Sequence, residues 1–195
     1  MQVNFIKDNK DKILSGPLEL YPEILKDNRG FFYESWNKKV FNNILNENID
    51  FVQDNHSKSS KGVLRGLHYQ LPFMPQSKLV RCTFGSIFDV FVDIREDSET
   101  FGNWGCLEIN DEKRNLLWLP DGFAHGFLTL SNFAEIQYKT TNFWSKEGEK
   151  SIRWNDPSIK IDWPLSKLDL NRPILSSKDE YAETLDERKK KGEIF

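Results

Sequence analysis

Ser86–Ile94, "SIFDVFVDI", is the stretch on which the fold turns. Ile87, Asp89, Phe91 and Asp93 alternate along it with Phe88, Val90, Val92 and Ile94. Side chains of a strand point to opposite faces in turn, so this period of two predicts a β-strand. The spacing gives the run to the core and leaves Asp89 and Asp93 as its polar face. Shorter runs of the same kind lie outward on both sides. Before it come 51–55 (FVQDN), 63–71 (VLRGLHYQL) and 78–85 (KLVRCTFG). After it come 103–110, 115–120, 124–130 and 134–141. Gly, Asn and Pro separate these runs. That density of short strands predicts a mainly β protein, an antiparallel sandwich or jelly roll with few short helices. Only 38–47 (KKVFNNILNE) carries helical spacing, with Val40, Phe41, Ile44 and Leu45 on one face.

The 195 residues suit one domain spanning 1–195, with a charged, partly helical tail from about residue 176. The final "DERKKKGEIF" reads as solvated and frayed. The chain has 27 basic and 30 acidic residues, a net charge of −3. That balance argues against nucleic acid or an anionic membrane as the main partner, while a local Arg and Lys cluster can still hold a small anion. No apolar run approaches the roughly 18 residues of a membrane helix. The opening "MQVNFIKDNK" lacks the apolar centre of a signal peptide. Cys82 and Cys106 sit in apolar runs without a CxxC pattern and read as free thiols of a reducing compartment. These features together predict a soluble, cytoplasmic protein.

His68, in "RGLHYQ" at 65–70, is one of three histidines. Three readings are open to it: metal ligand, proton carrier or packing residue. A roll with spaced histidines suggests the cupin pattern. Gly62 stands six positions before His68, as the first cupin motif requires, and Pro120-Asp121-Gly122-Phe123-Ala124-His125 reproduces the second. The second histidine position holds Gln70, however, and the glutamate position holds Lys78. A protonated lysine offers no lone pair, and two imidazoles without a carboxylate suit the usual metals poorly. The residues therefore predict no metal and no cofactor. They suit proton removal beside a ketone instead. That chemistry needs a base of near-neutral pKa, roughly 6.5 for a histidine. It also needs a positive group where the enolate oxygen forms. Reprotonation from the opposite face needs an acid on the far side, which a tyrosine can supply.

Eight segments in order carry a resemblance: "VQDNHS", "RGLHYQ", "KLVRC", "FDVFVDIREDSETFG", "LWLPDGFAHGFLTLS", "YKTTN", "IRWNDPSIKIDWP" and "LSSKD". Together they resemble the dTDP-4-dehydrorhamnose 3,5-epimerase family, over about Gly16 to Asp179. The resemblance implies a cupin-like roll, a dTDP-sugar substrate and a homodimer whose chains share the site. It implies His68 as the base, Asp179 as its carboxylate partner, Tyr138 as the acid and Lys78 beside the ketone oxygen. His125 becomes a further substrate contact. At the nucleotide end it implies Arg29 and Glu34 from "DNRGFFYES", then Gln53, Asp54 and Asn55. Arg65 is implied at the diphosphate, where a guanidinium fits in charge and geometry. Glu149 and Lys178 match two more contact positions. Where the family usually has two tyrosines, the second stacked on thymine, this chain has Phe143 and Trp144. An indole stacks at least as well, which gives the platform to Trp144.

Overall fold

The computed structural model describes residues 1–195. Thirteen strands and three short helices follow one another. They are β1 (Gln2–Lys7), β2 (Ile13–Tyr21), β3 (Leu25–Asp27), β4 (Gly30–Phe32), α1 (Lys38–Leu45), β5 (Gln53–Ser60), β6 (Leu64–Gln70), β7 (Lys78–Phe84), β8 (Ser86–Asp93), β9 (Trp104–Asn110), β10 (Leu116–Leu119), β11 (Phe123–Thr129), β12 (Phe133–Thr140), β13 (Glu149–Ser151), α2 (Ser177–Glu180) and α3 (Leu185–Lys190). Two antiparallel sheets make a roll. One has the order β1-β2-β10-β7-β12-β5, the other β13-β6-β11-β8-β9, and β3 and β4 form a separate hairpin.

The apolar residues sort into three layers. Val80, Ile87, Phe91, Leu117 and Phe127 fill the space between the sheets. Leu18, Leu20, Leu116 and Trp118 lie on the outer face of the larger sheet, where α1 buries Phe41 against them. Asn37 caps α1 by accepting from the Val40 amide, and Asn46 ends it in a left-handed turn. On the outer face of the smaller sheet, Leu67, Tyr69, Val90, Val92 and Leu128 pack against Ile159, Trp163, Leu185 and Ile194.

That third layer corrects two expectations. The end of the chain is not frayed. Thr184 and Glu187 form a capping box on α3, Ile194 is buried, and the Tyr69 hydroxyl donates to the Glu193 carbonyl at 2.5 Å. Because this segment covers the smaller sheet, both faces of β8 are buried and it has no solvated polar face. Asp89 and Asp93 are fully buried. Asp93 is held by Arg95, Ser98 and Thr100, and Asp89 by a histidine. The strands β1 to β4 carried little signal. Pro17 interrupts β2, and β3 and β4 have three exposed residues each. No helix is long and apolar enough to cross a membrane. Cys82 and Cys106 are both unpaired.

Candidate active site

A cavity of about 300 Å³ lies between the two sheets. The smaller sheet supplies one wall: His68 and Gln70 of β6, His125 and Phe127 of β11, and Glu149 of β13. The larger sheet supplies the other: Gln53, Asn55 and Ser57 of β5, Lys78 of β7, and Tyr138 of β12. Register explains the selection. Tyr138 stands opposite Asn55, and Thr140 opposite both Gln53 and Lys78, so these residues share one face. His68 stands opposite His125 across β6 and β11. The two strands approach closely there. A Cβ on Gly66, whose φ is +132°, would lie 2.5 Å from the Gly126 Cα. Only glycine fits that position, and it lets the two histidines share the wall.

His68 Nε2 meets Asp179 Oδ1 at 2.5 Å. Asp179 is buried on α2, where the Ser176 hydroxyl donates to its second oxygen at 2.9 Å and its own amide donates back at 3.2 Å. Burial lowers the pKa of His68; Asp179 opposes the shift, and the Lys178 and Lys78 charges reinforce it. Burial alone would raise Asp179, but hydrogen bonds from His68 and Ser176 and the Lys178 charge hold it below the usual carboxylate range. The pair therefore rests near neutral pH as imidazole and carboxylate. Asp179 accepts the Nε2 proton, which leaves the lone pair on the other ring nitrogen. With 29% of its side chain accessible, His68 is open to the cavity.

Lys78 is buried, and its Nζ reaches the His68 carbonyl at 3.4 Å. Burial pushes its pKa down to about 8, while the Asp89 and Glu149 charges hold it up and Lys178 pushes it further down. Tyr138 is raised above the ordinary phenol range, first by burial and then by the Glu149 charge, so its hydroxyl keeps its proton. His125 Nε2 sits 3.0 Å from each oxygen of Asp89. Glu149 pairs with Lys178 at 2.7 Å. Arg65 lines the cavity with its Nε on the Ser59 hydroxyl at 3.0 Å, and Trp144 lines it with its amide on Gln53 Oε1 at 2.9 Å.

Three expected residues lie elsewhere in the chain. Arg29 is exposed on the β3–β4 hairpin and paired with Asp27. Glu34 accepts from the Asn37 side chain. Asp54 points to the opposite face of β5 and pairs with Lys139 at 2.7 Å. Lys178 and Asp179 stand behind the wall and meet the cavity through Glu149 and His68. Sequence reasoning passed over Asp89, Ser57 and Gln76 and read Gln70 only as a missing metal ligand. For Asp89 a signal existed: a carboxylate inside a strand whose other face is wholly apolar is commonly buried and paired.

The arrangement can take a proton on one wall and return one from the other, with the Lys78 side chain lining the same cavity to meet negative charge. A family model described as dTDP-4-dehydrorhamnose 3,5-epimerase matches residues 11–187. The dTDP-4-dehydrorhamnose 3,5-epimerase of Escherichia coli is 54% identical over 170 residues, covering 87% of this chain and 90% of that one. A Legionella pneumophila epimerase solved with dTDP-4-keto-L-rhamnose is 44% identical with a TM-score of 0.84, over 95% and 94% of the two chains. A Mycobacterium tuberculosis epimerase structure matches all of this chain and 93% of its own, at 35% identity and a TM-score of 0.93. A roll that places histidine and tyrosine on facing walls, matched by these relatives along nearly its whole length, belongs to the dTDP-4-dehydrorhamnose 3,5-epimerase family.

Proposed function

We propose that this protein epimerises carbons 3 and 5 of dTDP-4-dehydro-6-deoxy-D-glucose, giving dTDP-4-dehydro-L-rhamnose. The observation that carries the reading is the His68–Asp179 pair facing Tyr138 across one cavity, with Lys78 lining the same cavity. The 4-keto group acidifies the hydrogens on its neighbouring carbons. His68 removes the proton at carbon 3, and Asp179 stabilises the imidazolium that results. The electrons move onto the ketone oxygen, where the Lys78 ammonium faces the enolate in a site already organised for charge. Tyr138 returns a proton from the opposite wall, inverting the carbon. The same groups act again at carbon 5. No redox change occurs, and the proton balance closes when solvent reprotonates Tyr138 and deprotonates His68.

His125, held by Asp89, lies beside His68 and offers its free ring nitrogen to the sugar. Arg65 takes the diphosphate and Trp144 the thymine, with Gln53 and Asn55 alongside. Arg29 and Glu34 act from a second copy of the chain. Their hairpin exposes Leu25, Phe31 and Phe32, an apolar surface that suits a homodimer. The two unpaired thiols suit a reducing compartment, and we assign the enzyme to the cytoplasm. Product analysis tests the reading. After incubation and reduction of the ketone, proton NMR should show the ring couplings of L-rhamnose. Inversion at carbon 3 alone would make this a monoepimerase, and recovery of unchanged substrate would reject the proposal.

A further inference from the structure

Gln70 follows His68 by two residues on β6, on the same face, and is 3% exposed. A side-chain amide has two N–H donors and one carbonyl acceptor. Here all are committed. Nε2 donates to the Met74 carbonyl at 2.7 Å and to the Phe143 carbonyl at 3.1 Å. Oε1 accepts the Ser145 amide at 2.6 Å. Two carbonyls against one N–H leave no ambiguity about which end of the amide points where. The bonds to Phe143 and Ser145 bracket Trp144, whose own amide donates to Gln53 Oε1 at 2.9 Å. Two consecutive peptide units, 143–144 and 144–145, are thus gripped by side-chain amides from β5 and β6. Two more amides tie the same loop to the β6–β7 connection: Gln76 Nε2 donates to the Asn142 carbonyl and Asn142 Nδ2 to the Pro75 carbonyl, each at 2.7 Å.

The Trp144 ring needs this grip, because the loop around it has little apolar anchorage of its own. Phe143 is 60% exposed and Trp144 54%. A loop held chiefly by hydrogen bonds takes its position from the group that makes them, and here that group sits two residues from the base. We propose that Gln70 is a positioning residue: it fixes the Phe143–Ser145 backbone, and with it the indole that receives the base, in register with the strand carrying His68. The inference rests on the epimerase reading above. It replaces the reading of Gln70 as a vacated metal ligand with a role of its own, setting the distance between the nucleotide platform and the proton-transfer groups.

Gln70→Glu is the informative variant. It keeps the acceptor for the Ser145 amide and replaces Nε2, with both its donors, by one oxygen facing the Met74 and Phe143 carbonyls. Binding of dTDP by calorimetry and steady-state kinetics on the keto sugar are measured on it and on the wild type. Losing the two donated bonds to these carbonyls should weaken dTDP and raise KM roughly ten- to hundred-fold. The value of kcat should stay within about threefold, since His68, Lys78 and Tyr138 are untouched. Unchanged dTDP affinity, or a fall in kcat as large as the loss of affinity, would overturn the inference while leaving the epimerase reading in place. A wild type that neither binds dTDP nor turns the sugar over would overturn both. Should Gln70→Glu fail to fold, Asn142→Ala breaks the same network from its half-exposed side. It should show the same split at smaller size, and no split would overturn the inference.

Discussion

A histidine becomes a useful base when a neighbour fixes which nitrogen holds the lone pair, and Asp179 does this for His68. Asp179→Asn keeps the shape but can donate to Nε2, turning the lone pair away from the cavity. The value of kcat should fall about 10²–10⁴-fold with KM nearly constant in steady-state assays. The pH profile of kcat/KM belongs to the same groups. In the proposed mechanism its acid limb comes from His68, a base only when neutral. Because burial lowers that pKa, the limb lies below the ordinary histidine range. The alkaline limb is assigned to Lys78, proposed to meet the enolate as an ammonium, and should fall near pH 8. Asp89→Asn removes a negative charge that holds Lys78 up, so this limb should move to lower pH. A limb that stays in place would belong to some other group. At this scale the sequence was readable where chemistry is local to a motif. "RGLHYQ" singled out His68, and the resemblance carried by "LSSKD" implied Asp179 beside it, a contact the structure makes. Asp89 was readable only in part: its place among apolar residues marked it, but its partner His125 comes into view only in the fold.

Among the elements, the crossing of β6 and β11 does the most to place the chemistry. Gly66→Ala would put a Cβ 2.5 Å from the Gly126 Cα at a φ of +132°. Strain and overpacking of this kind cost about 1–3 kcal/mol or more. The thermal midpoint should drop by several degrees and activity should fall with it, because His68 and His125 lose their shared register. A variant with unaltered midpoint and rate would show that the close approach is dispensable. Strands with clean alternation or long apolar runs, β6 to β12, were legible in the sequence. The 38–47 helix was legible too and appears as Lys38–Leu45. The N-terminal strands and the docked tail were not. Pro17 falls within β2, the apolar Leu185 and Ile194 of the tail stand among charged residues, and these segments become ordered through distant partners, such as the Glu193 carbonyl that Tyr69 reaches across 124 positions.

For the whole molecule, the cavity of one chain holds the proposed proton-transfer groups, while Arg29 and Glu34, proposed at the nucleotide, lie outside it. A homodimer in which each hairpin reaches its neighbour's cavity accounts for both facts. Light scattering should give twice the 22.9 kDa chain mass. Phe32→Ser, on the exposed hairpin, should shift the protein toward monomer and raise KM for the nucleotide sugar. A fully active monomer would refute the shared site. The central claim is two-sided proton transfer at both carbons flanking a ketone, and solvent exchange reports on it most directly. The enzyme is placed with dTDP-4-dehydro-6-deoxy-D-glucose in D₂O and followed by proton NMR, beside His68→Asn. Deuterium should enter at carbon 3 and carbon 5 in the wild type and at neither position in the variant. Wild-type protein that exchanges neither position, or a His68→Asn variant that exchanges as fast as wild type, would contradict it.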